Sequence, residues 1–247
     1  MALSFIKKIK DLIFKINKFK NLVIFLLVNK DFKLKQISIA LKVFAKGINI
    51  GENFIPWIPI KAKIWLDKNL KSDMYLYEYG SGVSTLYFLT KVKRIISIEH
   101  DKDWYSKTKS ELLKMGVTNY EYRLLEPESI VFTKLKQAKH IYMSNLSRFR
   151  KFNFIKYVRS IDQFPDNTFD FVFIDGRARI GCVLHSIKKI KIGGFLALDN
   201  SDEKKYKIIR KILKNYGRKD FFGIAPSNPY SKLTKISFWN TSIWKIE

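Results

Sequence analysis

From residue 74 onward, short apolar runs of strand length alternate with stretches of helical period, and this alternation constrains the fold more than any other feature of the chain. The runs fall at 75–79 (YLYEY), 94–99 (RIISIE), 120–125, 169–174 (FDFVFI) and 195–198. Helical stretches at 60–70, 84–92, 104–115 and 180–190 accompany them, and Gly193-Gly194 reads as a turn before the last run. Two strands joined through a crossover helix run parallel, so the spacing predicts an α/β fold with a mostly parallel sheet wound on both faces. The closing stretch 235–246 (KISFWNTSIWKI) is rich in β-formers and has no helix between its halves. It is expected to make an antiparallel pair at the sheet edge. Residues 128–156 follow no clean period and are expected to form an insertion over the site.

The first 28 residues have a different character. Phe5, Ile6, Ile9, Leu12, Ile13, Ile16, Phe19, Val23 and Leu26 repeat at helical three-and-four spacing, with Lys7, Lys8, Lys10, Lys15 and Lys18 largely on the other face. Such a basic amphipathic helix either lies on an anionic membrane surface or packs on the body of the protein or a second copy of it. A second helical stretch at 34–45 and a loop at 51–59 with two prolines place a boundary near residue 50. The expected organisation is an N-terminal basic helical region, 1–50, and one domain, 51–247. The apolar run NLVIFLLV at 21–28 is far shorter than the roughly 20 residues that span a bilayer. One cysteine, Cys182, excludes an intrachain disulfide framework and fits a reducing compartment. A cytoplasmic protein, peripheral at the inner membrane surface if the first helix binds lipid, is the expectation. The 47 Lys and Arg against 22 Asp and Glu leave a formal charge of +25. Either that surplus is spread over the surface, as the lysine-rich composition suggests, or it is gathered into a site for polyanions.

In a parallel sheet of this kind ligands bind beyond the carboxyl ends of the strands. After the first run the sequence reads YEYGSGVST, and Gly80 and Gly82 have the spacing that lets a backbone turn tightly against a ligand. A structural tight turn would use the same two glycines. Ser81 lies between them, and Ser84 is placed to cap the next helix. Thr85 stands where a dinucleotide fingerprint has its third glycine, which argues against a pyrophosphate site. Glu78, just before the turn, can pair with a cationic amino-acid group. Glu99, ending the second strand, is placed to reach ribose hydroxyls.

Here the chain resembles the class I S-adenosylmethionine-dependent methyltransferases. The resemblance covers about residue 60 to the end and includes the FDFVFIDG strand, the turn IKIGGFLALD and the terminal edge hairpin. It implies a Rossmann-like fold with a seven-stranded sheet and S-adenosyl-L-methionine as cofactor. It also implies contacts from Glu78, Gly80 and Gly82 to the methionine part, from Glu99 to the ribose and from His100 beside the adenine, with Ser160 and Asp162 both open for the acidic adenine contact. Phe222-Gly223-Ile224-Ala225-Pro226 is expected to begin an acceptor-contacting loop.

Asp175 ends the fourth strand, and Asp199 and Asn200 end the fifth. Three oxygen donors at adjacent strand ends suit a hard cation such as Mg²⁺. The set is similar to that of the cation-dependent O-methyltransferases, in which such a metal holds the acceptor. Without a metal, Asp175 would face cofactor and acceptor while Asp199 and Asn200 cap a loop. Arg177 and Arg179, in DGRAR, carry planar forks suited to carboxylate or phosphate, so the expected acceptor is a small molecule or glycan, acidic in character. His185 reads as packed, and His140 has no assigned role. The expected activity is methyl transfer to an oxygen, with Asp175 and Arg177 as the catalytic pair. The alternatives are a nucleic-acid methyltransferase and a non-catalytic membrane-surface protein. The absence of an Asn/Asp-Pro-Pro-aromatic signature speaks against base amino groups as targets.

Overall fold

The computed structural model describes residues 54–130, 141–144, 146–149, 151–225 and 238–247. The helices expected within 1–50, the boundary near residue 50, His140 and Pro226 lie outside the described residues.

Seven strands make one sheet: β1 (Tyr75–Tyr79), β2 (Arg94–Glu99), β3 (Tyr120–Leu124), β4 (Phe169–Ile174), β5 (Ile190–Leu198), β6 (Gly217–Ile224) and β7 (Phe238–Lys245). Their order is β3-β2-β1-β4-β5-β7-β6. The first five strands pair in parallel, and β7 runs antiparallel between β5 and β6. The helices are α1 (Ile60–Asn69), α2 (Val83–Leu89), α3 (Lys102–Met115), α4 (Ile155–Arg159), α5 (Arg179–Ser186) and α6 (Lys207–Ile212). The chain moves outward from β1 to β3 and then returns to the other side of β1 as β4. This reversal opens a crevice at the carboxyl ends of β1 and β4, where the two neighbouring connections leave in opposite directions.

The apolar runs that predicted strands are those buried on both faces. Leu76, Phe171 and Phe173 face one core layer, with Leu86 and Phe88 of α2. Tyr77, Tyr79, Phe169 and Ile174 face the other, with Tyr157 of α4 and Cys182 and Val183 of α5. Parallel strands covered by helices on both faces read as continuous apolar runs rather than alternating ones, which is why β1 and β4 stand out in the sequence. Glu78 interrupts that rule, since it occupies a fully buried position in β1. No helix among the described residues is long and apolar enough to cross a membrane.

Four expectations change. The antiparallel pair is made by Gly217–Ile224 and Phe238–Lys245, not by two halves of 235–246. Residues 222–224, expected to open a loop, are the end of β6. Pairing with β6 along its whole length, and with β5 over 242–245, keeps Phe238–Lys245 extended. Gly193-Gly194 lies inside β5 rather than in a turn before it. A Cβ on Gly194 would stand 2.8 Å from the Asp170 carbonyl, beside the register shift between β4 and β5. Glycine here permits a close backbone approach within a strand. Finally, the aperiodic segment holds a two-stranded ribbon, Glu128–Ser129 against Phe152–Asn153, and leads into α4. Helices α4 and α6 are too short to show a period.

Candidate active site

Gly80 makes the turn after β1 with φ +90°, a conformation that L side chains rarely adopt. A Cβ there would lie 2.6 Å from both the Cα and the N of Gly176, in the turn after β4. The obstacle is backbone, so no side-chain movement relieves it. Gly176 is confined in turn, because a Cβ on it would lie 1.9 Å from the Tyr157 hydroxyl. The two turns therefore interlock at the point where the strand order reverses.

Behind the first turn, Glu78 accepts hydrogen bonds from Ser84 Oγ, Thr85 Oγ1 and Ser97 Oγ, each at 2.6 Å. Thr85 Oγ1 also accepts from the Gly82 amide at 2.9 Å. Burial pushes the Glu78 carboxyl up to about 7 against the opposing pull of the three hydroxyls. Glu78, Ser84 and Thr85 thus bind the glycine turn to β1 and β2 from behind. Ser84, expected as a helix cap, gives its hydroxyl to Glu78, and Gly82 takes the N-cap position.

In front of the turn lies a cleft of about 470 Å³ at the carboxyl ends of β1, β2 and β4. Gly80, Ser81, Glu99, His100, Asp175 and Arg177 line it, as the sequence led one to expect, together with Trp57, Asp101, Asp103, Trp104, Lys107 and Arg148, which it did not. Glu99 receives the amide and hydroxyl of Ser81 on one oxygen and the amides of His100 and Asp101 on the other. Burial alone would raise this carboxyl; the His100 ring and the backbone amides hold it below the usual value. The Ser81 hydroxyl has a second partner, the Tyr122 hydroxyl at 2.6 Å. Trp104 bonds the Ser81 carbonyl through Nε1 at 2.6 Å, and its ring stands 6.0 Å from that of Trp57.

Several buried polar atoms of this wall have no hydrogen-bond partner among the described residues: Trp57 Nε1, both ring nitrogens of His100 and Arg177 Nε. His100 Nδ1 lies 2.8 Å from Glu99 Oε1, but without hydrogen-bond alignment. Leaving a buried polar group unpaired costs about 1–3 kcal/mol, so such groups in one cleft mark where a ligand or water completes the structure.

At the ends of β4 and β5, Arg179 is buried and forks across both strands. It donates to the carbonyls of Asp175, Gly176 and Asp199 and to the side chains of Asp175 (2.8 Å) and Asn200 (3.2 Å). Asp199 is buried against the Thr241 hydroxyl at 2.6 Å. Burial raises both Asp175 and Asp199, their mutual repulsion adding to the effect on Asp199, with Arg179 opposing it. Asp175 nonetheless keeps a third of its side chain exposed to the cleft. This arrangement does not support the expected Mg²⁺ site. Asp175 and Asn200 aim oxygens at a guanidinium, and among the described residues no group of three or more His, Cys, Asp or Glu is placed to hold a metal. Arg179 is likewise a tie between strands rather than an acceptor-binding residue at the mouth. Ala178 and Asn200, at φ +49° and +48°, are strained in the turns on either side of it.

Ser160 and Asp162 stand away from the cleft. Ser160 bonds Tyr77 and the Tyr157 carbonyl, and Asp162 holds Arg159 and His185. His185 is packed between Asp162 and Tyr142, and Cys182 is wholly buried. Of the residues missed, Trp104 had a signal, an aromatic in the first turn of the helix after Glu99. Trp57 and Arg148 come from an irregular loop and the aperiodic segment, where spacing predicts no contact.

The sequence matches no protein-family model and no curated protein. Among solved structures, an rRNA methylase from Streptococcus thermophilus superposes over 76% of this chain and 95% of its own, at 12% identity and a TM-score of 0.50. The fold is the Rossmann-like methyltransferase fold. A precorrin-6y C5,15-methyltransferase from Geobacter metallireducens (14% identity, 75% and 88% covered, TM-score 0.48) is also similar to the chain. So is a tRNA (m1A58) methyltransferase from Aquifex aeolicus (12%, 76% and 68%, 0.48).

Proposed function

We propose that the protein is an S-adenosylmethionine-dependent methyltransferase that acts on an oxygen of a small-molecule or glycan acceptor. The observation that carries this reading is the cleft at the strand reversal, which the Gly80 turn lines, where Glu99 presents a carboxylate, and Trp57, His100 and Arg177 hold buried polar atoms without hydrogen-bond partners. These features fit a nucleoside with an amino-acid tail. Glu99 can take ribose hydroxyls if the Ser81 hydroxyl turns wholly to Tyr122, its second partner. Trp104 and Trp57 offer aromatic surface beside it.

When bound, S-adenosylmethionine supplies a methyl carbon whose bond to sulfur breaks as the bond from the acceptor oxygen forms, leaving a neutral thioether. Alignment accounts for most of the acceleration of such a transfer. Asp175 Oδ1 is held by Arg179, which leaves Oδ2 to take the acceptor's proton. Arg177, the partly buried cation next to it on the cleft wall, orients the acceptor. The interlocked turns of Gly80 and Gly176 fix the separation between the two halves of the site.

Titration calorimetry with S-adenosylhomocysteine tests the reading. Binding at micromolar concentration is expected, weakened at least about tenfold in Glu99→Gln by loss of a charged acceptor. No binding at high micromolar concentration refutes it.

A further inference from the structure

Gly176 and Arg177 form a wall shared by two hollows. One is the cleft described above. The other is a notch of about 40 Å³, room for a group of a few heavy atoms and too small for a sugar ring. Arg177, Arg179 and Lys205 line the notch with the Ser144 and Tyr206 side chains, and no acidic residue lines it.

The three cations are not equivalent. Arg179 is committed to Asp175 and the strand-end carbonyls. Lys205 pairs with Glu203 at 2.6 Å on the outside and lies 4.8 Å from the Tyr206 ring. The Arg177 side chain forms no hydrogen bond or ion pair among the described residues, and its Nε is buried. Burial and the like charges of Arg179 and Arg148 weigh against its charged form, and Asp175 on the cleft side opposes them. A partly buried guanidinium with cationic neighbours and no carboxylate bonded to its fork gains when an anion sits there.

We propose that the notch is an oxyanion subsite that holds a phosphate or carboxylate group of the methyl acceptor, with Arg177 as its specificity-determining residue. The proposal rests on the methyltransferase reading, which places the donor in the cleft. An acceptor seated with its anionic group in the notch spans Arg177, and its hydroxyl faces Asp175 on the cleft side.

The test is calorimetry on the full chain at constant ionic strength, first with S-adenosylhomocysteine, then with inorganic phosphate and with acetate. The expected result is saturable one-to-one binding of phosphate or acetate, and the preferred ion tells a phosphoryl from a carboxylate group. Arg177→Gln weakens that binding at least about tenfold. Lys205→Gln, on the far wall and outside the cleft, weakens it too and leaves S-adenosylhomocysteine affinity as in the wild type. Cofactor binding with no saturable oxyanion binding, or with oxyanion binding that either substitution leaves unchanged, overturns the subsite and leaves the methyltransferase reading standing. Failure of S-adenosylhomocysteine to bind overturns both.

Discussion

Glu78→Gln separates what a buried charge does to this fold from what its hydrogen bonds do. The carboxyl is fully buried, and burial holds it protonated up to about 7, against an ordinary value of 4.5. Between those two values the unfolded chain gives up the proton while the folded chain keeps it. Stability therefore falls as pH rises through that window, and above about 7 the loss is complete. At about 1.4 kcal/mol for each pH unit the full loss is roughly 3 kcal/mol, of which roughly 2 to 3 falls between about pH 5 and pH 8. Glutamine has nearly the same shape, and the hydroxyls of Ser84, Thr85 and Ser97 can rotate to serve an amide. The variant lacks the titration. Urea unfolding of both proteins at the two pH values should show the stability of Glu78→Gln relative to the wild type rising by that amount at the higher pH. A difference that stays constant within about 0.5 kcal/mol would mean that Glu78 is ionised throughout, and the reasoning from burial fails.

Gly80→Ala places a methyl group 2.6 Å from backbone atoms of Gly176 at a positive φ. A loss of about 3 kcal/mol or more in thermal unfolding is expected, and a near-neutral result would refute the interlock. Arg179→Met leaves the Asp175 carboxylate and the strand-end carbonyls without their donor and should cost about 3–5 kcal/mol by urea unfolding. Arg177→Met removes no hydrogen bond among the described residues and should cost less than about 0.5 kcal/mol in the same assay. Asp175→Asn keeps the Arg179 contact but not the base, so methyl transfer should slow at least about 100-fold with S-adenosylhomocysteine affinity retained; an unchanged rate would remove Asp175 from catalysis.

The parts of this fold that could be read from the sequence are those whose local signal and tertiary role coincide. Phe169–Ile174 is apolar because it is covered on both faces, and its ends in the structure are the ends of the run. The segment 217–224 (GRKDFFGI) is an edge strand, five of its eight residues charged or glycine, and nothing local distinguishes it from a loop until β7 pairs with it. The site divides in the same way. Gly80 and Glu99 are fixed by position at strand ends, and spacing alone puts them at the cleft. Whether an acidic residue faces the cleft, as Asp175 does, or is spent inside the protein, as Glu78 and Asp199 are, depends on hydroxyls contributed from Ser97 and Thr241, far along the chain. Arg179 could not be told from Arg177 by residue type. The two-residue offset along the turn into α5 buries one guanidinium under the strand ends and leaves the other facing the cleft.

The contact between Gly80 and Gly176 also bears on how such a protein could change its substrate. Because backbone meets backbone there, neither turn can be lengthened or given a side chain without moving the other. The spacing between the two walls of the cleft is thus a shared dimension of the scaffold. Selectivity is left to side chains that hang over this seam from elsewhere, such as Arg148, Ser144 and Lys205. Diversification for a new acceptor, in nature or by design, would be found in the residues around 143–148 and 203–206, with the seam itself unchanged.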